Sequence, residues 1–496
     1  MYKYKIDKIY DKIPLEINIE TVHINDKGVG EVLSINLDSY YKINRAKNRI
    51  TEINSNQWDE VKKITNPYEF IHTFNSKTKA IDSRSIALYK PLSRSFFKMI
   101  EIISEFCSFL EKQDCSFLEK SRAKKQDLGN PARKCSFLEK SRAKNYDEIS
   151  NHTRELDTGF EKSRAQMKPS QRELDTGFEK SRAQMKPSHK HSQKLNDDVD
   201  SSCNIRESSQ LISGHIAEGP GGFIEAIRYI RKHNKDDLAF GMTLIKYDRS
   251  EYKKINVLGW HKSNRFLFNN PEVRILNGED GTGNIYKVKN IDFFNNEIRI
   301  NSPLGADIVT GDGGFDFSID YNYQEQLSSK LIFSQILCAL KCQKIDGTFI
   351  CKFFDLNLYF TTEMLYLLYS SYETIYIYKP FTSRIANSEK YIVCTNFIGI
   401  DETLLNNLFD VLENWNKYEA QTINYIFKQI PCDFIDKIKE INIEIIDVQI
   451  KSINNTIDII KNNKIQNDKK WYDTTVKLQI QKAMQWCKKY NIAYNL

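Results

Sequence analysis

His215-Ile-Ala-Glu-Gly-Pro-Gly-Gly-Phe223 is the stretch whose reading decides the fold. An apolar run of β type over 211–217 leads into Glu218-Gly-Pro-Gly-Gly222, and helical spacing follows over 222–233. Strand, glycine turn and helix in that order put the turn at the C-terminal edge of a parallel strand, where open α/β sheets bind ligands. Glycines at that turn let a ligand approach the backbone, and the helix start offers free amide groups.

Working outward, further strand candidates fall at 238–245, 273–277, 306–311, 348–354, 374–379 and 390–399, mostly separated by helix-length segments such as 325–343. Only Lys379 to Glu389 separates the last two strands, too little for a helical crossover, so the final strand should run antiparallel to its neighbour. The expected fold is α/β: a Rossmann-like, seven-stranded, mostly parallel sheet with an antiparallel last strand, plus an α-helical C-terminal appendage. The expected domains are an N-terminal extension over 1–82, a catalytic domain over 83–106 and 200–400, an insertion over 107–199 and helices over 401–496.

Two more loops lie at the same sheet edge, Gly241-Met-Thr-Leu244 and Gly278-Glu-Asp-Gly-Thr-Gly-Asn284. The Gly-x-Gly-Gly spacing is shorter than the G-x-G-x-x-G of dinucleotide sites, and an acidic residue stands beside it. A carboxylate there suits the amino group and sulfonium of S-adenosylmethionine. Glu218, Gly219, Pro220, Gly221, Gly222, Phe223, Thr243, Asp280 and Asp312 are the candidate cofactor residues, with Asp280 as acceptor for the adenine amino group.

The reaction centre is expected at the ends of the fourth and fifth strands, Val309-Thr-Gly-Asp-Gly-Gly-Phe315 and Gly347-Thr-Phe-Ile-Cys-Lys-Phe353. Neighbouring parallel strands bring Asp312 and Lys352 together. Glu389 begins the last strand, and Lys98 lies in the helical segment Ser93-Arg-Ser-Phe-Phe-Lys98. Methyl transfer to a ribose hydroxyl needs a poor nucleophile to lose its proton, and a lysine among carboxylates can accept that proton or stabilise the developing alkoxide. No metal is required.

These motifs, with Asn66-Pro-Tyr-Glu69 and Lys379-Pro-Phe-Thr-Ser-Arg-Ile-Ala-Asn-Ser-Glu389, resemble the FtsJ-like 2′-O-ribose methyltransferases. Within them the chain is similar to the mRNA cap methyltransferases of eukaryotes and large DNA viruses, including the Adrift-type group. The resemblance implies a catalytic tetrad of Lys98, Asp312, Lys352 and Glu389, S-adenosylmethionine as cofactor and capped mRNA as substrate. His215 departs from the acidic residue many relatives carry there, and Glu218 is expected to take over its charge.

The remaining features bound the reading. The formal charge of +7 is concentrated in residues 107–194, which hold 20 lysines and arginines against 13 acidic residues, so net charge does not argue nucleic-acid binding by the folded part. That segment repeats itself: Cys-Ser-Phe-Leu-Glu-Lys begins at Cys107, Cys115 and Cys135, and a longer unit begins at Arg154 and Arg172. Its polar, proline-interrupted units read as a disordered, dispensable insertion rather than a solenoid. The ten cysteines form no pairwise framework, and no apolar run reaches the roughly eighteen residues of a membrane span. A soluble, intracellular protein is expected, in nucleus or cytoplasm, or in host cytoplasm or virion for a viral chain. Trp260, Lys262, Arg265, Lys379 and Arg384 are candidate RNA contacts. Trp415, Trp471 and Trp486 could anchor capping or transcription machinery on the C-terminal helices, or fill those helices' own core. A ribosomal or transfer RNA methyltransferase and a catalytically silent RNA-binding subunit are the alternative functions.

Overall fold

The computed structural model describes residues 1–7, 14–23, 33–72, 85–110, 210–245, 259–314, 322–417 and 421–495. Residues 1–113 and 208–496 form one compact unit. The repeats, and with them the expectation of a disordered insertion, lie outside the described residues apart from their first four. Of those four, Cys107 and Leu110 are buried.

The parallel part of the sheet is made by β3 (Ile212–Ile216), β4 (Leu238–Met242), β5 (Val273–Leu276), β6 (Ala306–Gly311) and β7 (Gln343–Phe353). β8 (Tyr372–Lys379) and β9 (Lys390–Phe397) form the expected hairpin, with β9 lying between β7 and β8 and antiparallel to both. Among the described residues the sheet has eight strands, not seven. Tyr2–Ile6 forms β1 and pairs antiparallel with β8, giving the order β1-β8-β9-β7-β6-β3-β4-β5. Its alternating polar and half-buried side chains, YKYKI, suit an edge position better than a core one. Because β3 is flanked by β4 on one side and β6 on the other, the strand order reverses there, and the crevice for a ligand opens at the ends of β3 and β6.

Helices cover both faces. α3 (Ser95–Phe106) and α4 (Gly222–Ile230) share one cluster that includes Phe96, Phe97, Phe223 and Ile227. On the other face, α5 (Val288–Asn301), α6 (Gln324–Cys342) and α7 (Tyr359–Ser371) pack into the main core. α6 and α7 are buried on nearly every side and so show no one-sided apolar stripe, α6 enclosing polar residues such as Glu325, Ser328 and Gln335 as well.

The terminal regions are built into this body. α1 (Leu37–Thr51), capped by Asn36, and α2 (Ser55–Thr65), capped by Asn54, pack against α9 (Cys432–Lys461) through Ile43, Val61, Ile453 and Ile459. The region after 400 is mainly helical, as expected, and packs into this body, but it also carries a strand. β10 (Gln421–Phe427) pairs with β2 (Ile17–His23), and Trp415 on α8 (Glu402–Lys417) enters the main core beside Phe333 and Phe360. Trp486 on α10 (Lys469–Lys489) packs edge-on against Phe97 of α3. Among the described residues no helix is long and apolar enough to cross a membrane.

Candidate active site

Sheet register sets two of the four predicted catalytic residues side by side and brings a third close to them. Gly311 pairs with Cys351, so the next residues, Asp312 and Lys352, stand side by side; Lys352 pairs with Tyr391, two residues past Glu389. Lys352 Nζ donates to the Asp312 carbonyl at 2.7 Å and lies 3.2 Å from its Oδ1. The Tyr391 hydroxyl donates to the same Oδ1 at 3.1 Å. Burial works to lower the Lys352 ammonium, but the Asp312 and Glu389 carboxylates outweigh it and hold the group above the ordinary lysine value.

Lys98, the fourth, arrives from α3 and donates to Glu389 Oε1 at 2.6 Å. Ser383 donates to the same oxygen at 3.1 Å. Burial pushes Glu389 upward, yet the charges of Lys98 and Lys352 bring it down to about 2, so it is a carboxylate throughout the neutral range. α3 can come this close because residue 222 is glycine: a Cβ there would stand 2.2 Å from Ser95 Oγ and 3.0 Å from the Phe96 backbone nitrogen. Glu69, fully buried, fixes the surroundings. It accepts from Arg384 Nε at 3.0 Å and from Asn66 at 2.7 Å, with Arg94, just before α3, at 3.6 Å.

The group opens on a cavity of about 690 Å³ whose walls include Arg94, Glu218, Pro220, Asp312, Lys352 and Glu389. Glu218 is buried; its Oε1 accepts from the Thr310 hydroxyl, while Oε2 accepts no hydrogen bond from the described residues and lies 3.5 Å from His215 Nδ1. Burial raises this carboxyl above the ordinary glutamate range. His215 is itself enclosed, with Nδ1 2.8 Å from Thr310 Oγ1 and Nε2 3.0 Å from Ser213 Oγ. A buried acceptor without a donor, set beside a glycine loop, fits a ligand carrying an amine; S-adenosylmethionine meets that requirement. Gly219, Pro220, Thr243 and Asp312 line the same cavity.

Other predicted cofactor residues are placed differently. Phe223 is core, against the Tyr391 ring at 5.7 Å. Gly221 has a positive φ of 99°, and a Cβ on it would meet Trp260 at 3.0 Å. Asp280 is engaged by its own loop and the start of α5: one oxygen accepts from Thr282 and Asn290, the other pairs with Lys287 at 2.5 Å. Gly283, Asn284 and Ile285 carry that loop to the cavity wall.

Nor do the candidate RNA contacts form one surface. Trp260 is buried, its indole lying against Gly221 and Gly241, and so offers no stacking face to solvent. Lys379 is buried too. Lys262 and Arg265 are exposed, and Arg384 is committed to Glu69. A second cavity, of about 140 Å³, has Trp58, Lys62 and Arg384 in its walls and shares Gln324 and Asn387 with the first. Trp58 and Lys62 belong to a segment without a chemical motif, so only the fold brings them here.

Residues 194–397 match the family described as FtsJ-like methyltransferase. Over 200 residues the chain is 37% identical to the human cap-specific mRNA (nucleoside-2′-O-)-methyltransferase 1, covering 40% of this chain and 23% of the relative. The Drosophila melanogaster protein of that name is 32% identical over 210 residues, 40% of this chain and 25% of its own length. Its Leishmania braziliensis counterpart is 33% identical over 227 residues, 42% of this chain and 53% of its own. The chain thus spans about a quarter of its animal relatives and about half of the last.

Proposed function

Residues 194–397 belong to the FtsJ-like methyltransferase family, and on that premise we propose that the protein methylates the ribose 2′-oxygen of RNA, at the first transcribed nucleotides of capped mRNA. The observation that carries the reading is the joining of two lysine–carboxylate pairs, Lys352–Asp312 and Lys98–Glu389, of which Lys352, Asp312 and Glu389 line one cavity together with Glu218. When bound, S-adenosylmethionine supplies a methyl carbon activated by its sulfonium. Glu218 would accept from the amine, and the backbone of Gly219 and Pro220 would lie along the ligand.

Lys352 is assigned to the 2′-oxygen. As an ammonium it donates a hydrogen bond to that oxygen and stabilises the negative charge gathering there as the oxygen–methyl bond forms and the methyl–sulfur bond breaks, the hydroxyl proton passing to solvent water in the open cavity. Asp312 holds Lys352 in place through both its carbonyl and its carboxylate. Glu389 and Lys98 form the other side of the ribose seat, with charges that cancel and so leave a polar wall of fixed geometry. Because the cavity of Trp58, Lys62 and Arg384 adjoins the main one, it offers a place for a neighbouring nucleotide, with the Trp58 ring for a base. The likeness to cap-specific relatives favours capped mRNA over an internal ribosomal or transfer RNA site.

The test is methyl transfer from labelled S-adenosylmethionine to matched short RNAs with and without a 7-methylguanosine cap. Capped RNA should be labelled at least about tenfold faster, and Trp58→Ala should raise KM for RNA. Equal labelling of both RNAs would exclude cap dependence, and absence of labelling would exclude the activity.

A further inference from the structure

Lys379 ends β8 and Lys390 begins β9, so a lysine stands at each end of the loop that carries Glu389. Both are buried, with 2% and 1% of their surface exposed. The loop between them is irregular, and its buried carbonyls need donors. Lys379 Nζ donates to the carbonyl of Asn387 at 2.5 Å and to that of Glu389 itself at 2.6 Å. Lys390 Nζ donates to the carbonyl of Ser388 at 2.9 Å and to that of Phe354. Three successive carbonyls are thus held by two amines. Lysine, with three donors and no acceptor, can serve two carbonyls at once.

The front of the loop is gripped from the other side. Glu101, fully buried on α3, accepts from the amides of Phe381 at 2.6 Å and Thr382 at 2.8 Å and from the Thr382 hydroxyl at 2.6 Å. Lys98 and Glu101 are three residues apart on one helical face. The helix that presents Lys98 to Glu389 therefore also fixes the start of the loop that presents Glu389. Enclosing two lysines here is unfavourable: burial first, and then the charge of Lys390, bring Lys379 down to about 7, and burial brings Lys390 down to about 8. Closing a loop does not require such an arrangement, whereas setting one carboxylate to within a fraction of an ångström does.

We propose that Lys379 is a positioning residue for Glu389, fixing the carboxylate against Lys98 by holding the carbonyls of residues 387 and 389, with Lys390 and Glu101 completing the grip. The proposal rests on the reading of Glu389 as part of the methyl-transfer centre. It is tested in the full chain with Lys379→Met, which fills the same space without donors, and Lys379→Gln, which keeps an NH₂ donor.

Lys379→Met should lower kcat by about 10²-fold, the scale of a 1 Å misplacement. Affinity for S-adenosylhomocysteine by calorimetry should stay at the wild-type value, and Lys379→Gln should recover at least about tenfold of the lost rate. A Lys379→Met protein with wild-type kcat would overturn the proposal. So would a Lys379→Gln protein as slow as Lys379→Met, since that would leave only charge or bulk as the cause. Should the wild type transfer no methyl group to any RNA, the function falls and the clamp is judged by ¹³C NMR titration of the Glu389 carboxyl. An upward shift in Lys379→Met that Lys379→Gln reverses supports it; identical titrations in all three proteins overturn it. If Lys379→Met does not fold, Lys390→Met, which frees the Ser388 carbonyl, is compared with Lys390→Gln and read in the same way.

Discussion

Lys352 sits among two carboxylates that favour its ammonium form more strongly than burial opposes it. A lysine whose pKa is raised is charged below that value and loses its charge only above it, so across pH 6–9 its state is constant. If it acts as a cation, kcat should be flat over that range. A tenfold rise per pH unit would show instead that the neutral amine removes the proton. Lys352→Ala should cut kcat by about two to four powers of ten, the range for a lost acid–base or charge-stabilising group, with affinity for S-adenosylhomocysteine nearly unchanged. Near wild-type turnover in that variant would remove Lys352 from the centre. At this scale the sequence was readable through joint placement: singly Asp312, Lys352 and Glu389 read as solvated charges, and their shared position at strand ends is what marks them as one candidate site. Their partners were not readable. Tyr391 and Ser383 read as one aromatic and one hydroxyl among many, and only register and loop path direct them at Asp312 and Glu389. Trp260 misled for the opposite reason, as an indole in a polar stretch suggests a surface when it is in fact packed on two glycines.

The elements that bring the residues together meet at a glycine. A side chain at position 222 would collide with Ser93 and Ser95 at the start of α3, and with the Phe96 backbone, which cannot swing aside. Gly222→Ala should therefore shift the helix that carries Lys98. We expect kcat to fall by about tenfold or more while affinity for S-adenosylhomocysteine falls less, because a displaced catalytic group costs rate before binding. Loss of cofactor affinity with intact kcat would assign residue 222 to the ligand instead. The β3–turn–α4 unit and the β8–β9 hairpin were legible from spacing, since each is local. β1 was not, because a five-residue strand of alternating type acquires meaning only from its pairing with β8, some 370 positions away in register.

At the scale of the molecule, the terminal regions brace the site. Gln479 on α10 donates its amide to the carbonyls of Ile64 at 2.9 Å and Asn66 at 2.6 Å, just ahead of Glu69, and Trp486 of the same helix packs on Phe97, next to Lys98. Trp486→Ala should lower stability by about 3–5 kcal/mol, the usual loss for a large buried aromatic, measured by denaturant unfolding. A change below about 1 kcal/mol would return these helices to the status of an appendage. The repeats make a contrasting prediction. Replacing 111–207 with a short Gly/Ser linker, which spares the buried Cys107 and Leu110, should keep melting temperature and kcat at wild-type values while raising KM for RNA at low salt only. Failure to fold would make the repeats part of the architecture.

The central claim is that the two lysine–carboxylate pairs direct a methyl group to a ribose 2′-oxygen next to a cap. The most direct measurement is nuclease mapping of capped RNA after reaction with labelled S-adenosylmethionine, wild type beside Lys352→Ala. We predict label on the 2′-oxygen of the first transcribed nucleotides, resistant to nuclease there, and none with the variant. Label on a base, on internal riboses irrespective of the cap, or retained in Lys352→Ala would contradict it.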